Sequence, residues 1–237
     1  MIRIMIATSD MRSVTTAYHL MQLCDSALPV GGFSFSCALE SAAAQGLLRF
    51  RGDVEQYARC VVRQTLLSDG VAALHAMRHA DNVGELLRAD GELYVRKSSL
   101  EMRTMTTRMG RKLAELSSEL LPCHDLDRWL SHIVEHRTPG TYAVTQGLVF
   151  SLCGGVEQEL FAAVGYGVAS QVLGAALRLV RVTHRDTQQM LFALAQLVES
   201  LYDEARLLDL EQMHGFAPQM DILSSLHERG TQRMFMS

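Results

Sequence analysis

Nine histidines, five cysteines and 26 acidic residues give this 237-residue chain many groups able to bind a metal or move a proton, so their spacing decides what they can do. The sharpest pattern is His132-Ile133-Val134-Glu135-His136. On a helix, H-x-x-E-H lets two histidines hold zinc while the glutamate between them activates water, the chemistry of a zinc metallopeptidase. Glu199 or Glu204 would be the downstream carboxylate that completes such a ligand set. The pattern falls just before Pro139-Gly140, at the end of a short predicted helix rather than in the middle of a long one. His75 and His79 form a second pair one turn apart, followed by Asp81, and could meet a divalent ion on a helix face. Without a third or fourth ligand in view, they read more simply as a helix surface.

The remaining candidates are weaker. Cys24, Cys37, Cys60, Cys123 and Cys153 are odd in number and scattered, with no C-x-x-C, which argues against a disulfide framework and for a reducing, cytoplasmic setting. No G-x-x-x-x-G-K-[ST] loop is present, so the chain has no P-loop. Gly165-Tyr166-Gly167 begins a dinucleotide-binding pattern, but Ser170 stands where the third glycine is needed. On the residues alone no catalytic constellation assembles, and no cofactor or bound metal is expected.

The elements that would position these groups are helical. Hydrophobic residues make up 48% and aromatics only 6%, with thirteen methionines and four prolines, a balance that favours helices over a sandwich or barrel. The net charge of −4 offers no basic surplus to neutralise a phosphate backbone, so nucleic acid is not an expected partner. Residues 1–13 read as a flexible leader, and 14–237 as a single all-α domain, a bundle of roughly eight to ten helices. A short helix around Tyr18–Leu28 should stop at Pro29-Val30-Gly31-Gly32, and another is predicted over Ser34–Gly46. Asp53 can cap a longer helix running towards His79. Met102, Met105, Met109, Leu113, Leu116 and Leu120 form one apolar stripe within a helix predicted over Leu93–Leu120. Met190, Leu194, Leu197, Leu201, Ala205 and Leu208 form another. The uncharged run Leu160–Leu177 carries small residues on every face, which suggests close packing inside a bundle rather than a membrane span.

Two end segments are more specific. Leu20 to Glu40, containing Leu28-Pro29-Val30-Gly31-Gly32-Phe33-Ser34-Phe35-Ser36 and then Leu39-Glu40, closely resembles the N-terminal signature of the urease accessory protein F family. Glu101-Met102-Arg103, Met109-Gly110-Arg111 and Gly147 follow its middle pattern, and Asp221-Ile222, His227-Glu228 and Arg233-Met234-Phe235 resemble its ending. The blocks keep the family's order from Tyr18 to Ser237. The resemblance implies an all-α, non-enzymatic, homodimeric chaperone of urease maturation. Such a protein would join a D/H-type accessory protein and an accessory GTPase on the urease apoprotein to promote nickel insertion. Pro29, Gly31 and Gly32 would then set a sharp turn presenting Phe33 and Phe35 to a partner, while Arg233 and Phe235 would make contacts from the tail.

Overall fold

Capping side chains and left-handed turns of the backbone set many element boundaries in the computed structural model, which describes residues 13–215, 217–229 and 234–235, with the main chain alone at Phe33, Glu228 and Arg229. Ser13, at the end of the expected leader, accepts a hydrogen bond from the Thr15 N–H and opens α1 (Val14–Cys24); the rest of the leader lies outside the described residues. After the Pro-Gly-Gly turn comes one 3-10 turn at Gly32–Ser34, and α2 covers only Leu39–Ala44. The helix predicted over Ser34–Gly46 is shorter because Cys37 and Ala38 take left-handed angles (φ 50° and 60°), which a right-handed helix cannot include. Asp53 accepts from the Arg49 and Phe50 N–H groups at the start of α3 (Arg51–Thr65). That helix passes through a π turn at Leu66–Gly70 into α4 (Val71–Arg78), so the long rod predicted from Asp53 is present.

The helix predicted over Leu93–Leu120 is two. Asn82 caps α5 (Val83–Val95), and the Ser99 hydroxyl starts α6 (Leu100–Leu120) by accepting from the Met102 N–H. There follow α7 (His124–Val134), α8 (Tyr142–Leu152), α9 (Glu157–Leu179), α10 (His184–Ala205), a 3-10 turn at Leu210–Gln212 and α11 (Pro218–Arg229). No strand occurs among the described residues, and the fold is all-α as expected.

The core forms around α9, which touches α2, α3, α4, α8 and α10. It is the one helix among the described residues long and apolar enough to cross a membrane, yet Leu160, Phe161, Val172 and Leu173 are buried within the bundle. The buried face of α6 is rotated from the predicted stripe: Thr106, Met109, Gly110, Leu113, Ala114 and Ser117 face inward, while Leu120 is exposed. Small residues are needed there because the turn before α8 comes so near that a Cβ on Gly110 would lie 2.1 Å from the Gly140 carbonyl oxygen. On α8 itself, a Cβ on Gly147 would lie 2.3 Å from the Ala73 carbonyl oxygen of α4. Gly147→Ala should therefore lower stability by about 1–3 kcal/mol through overpacking. A lower urea midpoint with an unchanged m-value would show it; an unchanged midpoint would mean the two helices separate freely.

Candidate functional site

The Pro29–Gly32 turn is built by local hydrogen bonds and by glycines with distinct tasks. Asp25 accepts from the Ala27 N–H at 2.8 Å, and Val30 N–H donates to the Leu28 carbonyl at 2.7 Å, so the chain is already folded back before Gly31. Gly31 has φ 85°, a region that L side chains rarely adopt. Gly32 has ordinary angles but sits against α6, where a Cβ would meet Met109 Cε at 3.1 Å. One glycine thus serves the backbone and the other the packing.

Phe35 follows at 3% exposure, turned inward, with its carbonyl accepting from Gln171 Nε2 at 3.1 Å. In this conformation its ring is a packing element of the turn rather than an exposed anchor. The side chain of Phe33 and all of Arg233 lie outside the described residues. Phe235 is 5% exposed, and the Arg178 guanidinium stands over its ring, 5.4 Å from the centroid.

What joins the two end segments is a cluster of ionisable residues. His227 on α11 places Nδ1 2.7 Å from Glu101 of α6 and Nε2 2.9 Å from Glu40 of α2. Glu40 also accepts from the Met234 N–H at 2.7 Å and the Phe235 N–H at 3.2 Å. One carboxyl group therefore holds both α11 and the tail against the short helix that follows the turn. The His227 and Glu101 side chains are 3% and 5% exposed. The hydrogen bond to Glu101 raises the His227 pKa, with burial opposing and Glu40 adding to it. Burial would raise the Glu40 pKa, but bonds from His227 and the two tail N–H groups outweigh it and hold the carboxyl below its ordinary value.

Beside this cluster is a cavity of about 570 Å³, whose lining includes Cys37, Lys97, Met102, Met105, Tyr142 and Gln171. Lys97 is paired there with Asp69, and both side chains are largely buried. Burial pushes the Cys37 thiol up to about 12, with Glu101 adding to the shift and Lys97 opposing it. A thiol held protonated at neutral pH is a poor nucleophile, so the cavity does not present covalent chemistry through Cys37.

The histidine patterns resolve differently from zinc ligands. α7 ends at Val134, Glu135 pairs with Arg137, and His136 lies beyond the helix with φ 55°. The H-x-x-E-H spacing therefore does not place His132, Glu135 and His136 on one helix face, which removes the zinc-peptidase arrangement. His75 and His79 stack at 4.2 Å; His75 Nε2 lies 2.9 Å from Glu85, and His79 Nδ1 bonds the His75 carbonyl oxygen. The His75–Glu85 contact stitches α4 to α5, and the His79 contacts close the end of α4. Among the described residues no group of three or more His, Cys, Asp or Glu side chains is arranged to hold a metal ion.

Glu40, Glu101 and His227 were visible in the sequence as parts of a resemblance, but without a role. A physical signal did exist. Glu101 stands four and eight residues before Met105 and Met109, and His227 four after Leu223, so each extends an apolar stripe with an ionisable group.

The sequence model of the UreF family matches residues 49–195. Urease accessory protein UreF 2 of Brucella canis is 42% identical over 232 residues, covering 97% of this chain and 96% of that protein. Urease accessory protein UreF 1 of Brucella melitensis is equally similar over the same length. Urease accessory protein UreF of Yersinia enterocolitica is 39% identical over 219 residues, 92% of this chain and 96% of that protein. The turn and the tail fall outside the family match, but the relatives match nearly the whole length of the chain, and the chain belongs to the UreF family.

Proposed function

We propose that this chain is a non-catalytic scaffold of urease maturation. It works in the cytoplasm as a homodimer, with residues 14–237 acting as one domain, and joins a D/H-type accessory protein and an accessory GTPase on urease apoprotein to promote nickel insertion. Its similarity to urease accessory proteins along nearly its whole length carries the reading. The bracket at Glu40 supports it physically, because it holds α11 and the tail against α2, the short helix that follows the turn. Phe35 contributes by shaping the turn and Phe235, expected at a partner contact but 5% exposed beneath Arg178, by anchoring the tail; Phe33 and Arg233 are the side chains expected to meet partners.

Urease activation in cells lacking this protein tests the proposal. The wild-type chain should restore activity, and Arg233→Ala should weaken co-purification with the GTPase by at least roughly tenfold, the size expected of a charged hot-spot residue. If the wild-type chain restores no urease activity, the scaffold role is wrong. If Arg233→Ala assembles normally, the tail assignment is wrong.

A further inference from the structure

Beneath the Pro29–Gly31 turn lies a recess of about 360 Å³, with Val30 and Phe35 among its apolar lining and one face of α6 as its wall. Arg108, Arg111 and Lys112 stand at i, i+3 and i+4 on that helix, so their cationic heads gather on the same wall. Among the described residues no acidic side chain lines the recess. Glu115, just beyond it, accepts from Arg111 Nε at 2.9 Å and from Lys112 Nζ at 2.8 Å, so one carboxylate is shared between two cations. Arg108 has no ion-pair partner among the described residues, and the Arg111 and Lys112 side chains are 50% and 61% exposed. The patch is thus net positive in a chain whose charge is −4. Arg103, earlier on the same helix, shows the contrast. It is used internally, donating to the Lys97 carbonyl at 2.8 Å and lying over the Tyr94 ring.

We propose that this recess receives an acidic segment of a partner protein. The segment's carboxylates meet Arg108 and Lys112, and an apolar side chain covers the floor at Val30. Charge complementarity selects the occupant: a guanidinium fork matches a carboxylate, and an apolar floor below an exposed cationic rim suits a side chain rather than a hydrated ion. A nucleic-acid backbone fits less well, since three cations on a net-negative protein release few counterions. The proposal rests on the scaffold reading, to which it adds the charge of the partner surface.

Fluorescence anisotropy with the full chain and a labelled Glu-Glu-Leu-Glu-Glu peptide tests it, with Gln-Gln-Leu-Gln-Gln as the neutral counterpart. R108E/K112E should weaken the acidic peptide by roughly tenfold or more, while R181E/R185E, which reverses two exposed arginines elsewhere, should leave it unchanged. R108Q/K112Q serves as the milder variant if circular dichroism shows that charge reversal disturbs the fold. Equal binding of the two peptides, equal loss in both charge-reversed proteins, or equally effective competition by inorganic tripolyphosphate would each overturn the proposal. Urease activation by the wild-type chain separates the two readings, because the scaffold role stands or falls on that assay whatever the peptide does.

Discussion

Replacing His227 with alanine is expected to lower the stability of the fold by about 3 kcal/mol, within the range for removing one partner from a buried ionic cluster. The effect is large because His227 is nearly inaccessible and its two nitrogens serve two helices, α2 through Glu40 and α6 through Glu101. The tail should loosen as well, since the Glu40 carboxyl that accepts the Met234 and Phe235 N–H groups loses a neighbour that fixes it. Faster hydrogen exchange at Met234 and Phe235 would show this directly.

The same cluster sets a pH dependence whose sign follows from linkage. Folding raises the His227 pKa, so its stabilisation is complete below the ordinary histidine value of about 6.5 and is lost as pH rises through the higher native value. Folding lowers the Glu40 pKa, so its contribution is present above the ordinary glutamate value of about 4.3 and is lost as pH falls through the native value. Both contributions are complete between roughly pH 4.3 and 6.5. Urea unfolding at pH 5.5 and pH 9 should therefore show the wild-type chain losing stability on the alkaline side, with His227→Gln much flatter. Parallel profiles for the two proteins would remove the cluster as the origin.

Legibility in the sequence followed the strength of local physics. The stripe of α10 was readable because Met190, Leu194, Leu201 and Ala205 repeat at helical spacing and are indeed buried. The break between α5 and α6 was not, because only a serine at the N-cap and three polar residues mark it inside a stretch of good helix formers. The late start of α2, inside the helix predicted over Ser34–Gly46, was not legible for a different reason. Left-handed angles at Cys37 and Ala38 are imposed by tertiary contacts, such as the Tyr57 hydroxyl donating to the Cys37 carbonyl at 2.7 Å, and no turn residue announces them. At the site, Pro29, Gly31 and Gly32 were legible as a turn because each has a backbone or packing reason. The inward direction of Phe35 was not, because an aromatic flanked by serines reads equally well as anchor or core. The cluster at His227 joins residues 187 and 126 positions apart, a separation that no local pattern encodes.

Asp90→Ala should be the most damaging single change in the helical core, costing about 3–5 kcal/mol. Asp90 is completely buried on α5, and its carboxyl oxygens accept from Gly140 N–H at 2.6 Å, Thr141 N–H at 2.7 Å and the hydroxyls of Thr138 and Thr141. Alanine would leave those donors without their acceptor where water does not reach, and each unsatisfied buried group costs about 1–3 kcal/mol. The two hydroxyls can rotate towards other acceptors, but the two backbone N–H groups are fixed by the turn, so the loss falls mainly on them. The consequence reaches further than the turn. Gly140 at φ 73° and Thr141 set the start of α8, whose Tyr142 N–H donates to Thr106 on α6 and whose Thr145 hydroxyl accepts from the buried Trp129 indole. A turn that drifts would misplace the helix that fits closely against both α4 and α6. Asp90→Asn retains one oxygen acceptor of the same shape and should cost less, about 1–2 kcal/mol. Urea unfolding of the two variants decides the matter. A loss below about 1 kcal/mol for Asp90→Ala, or equal losses for both, would mean that the turn is held by helix packing and not by this carboxyl group.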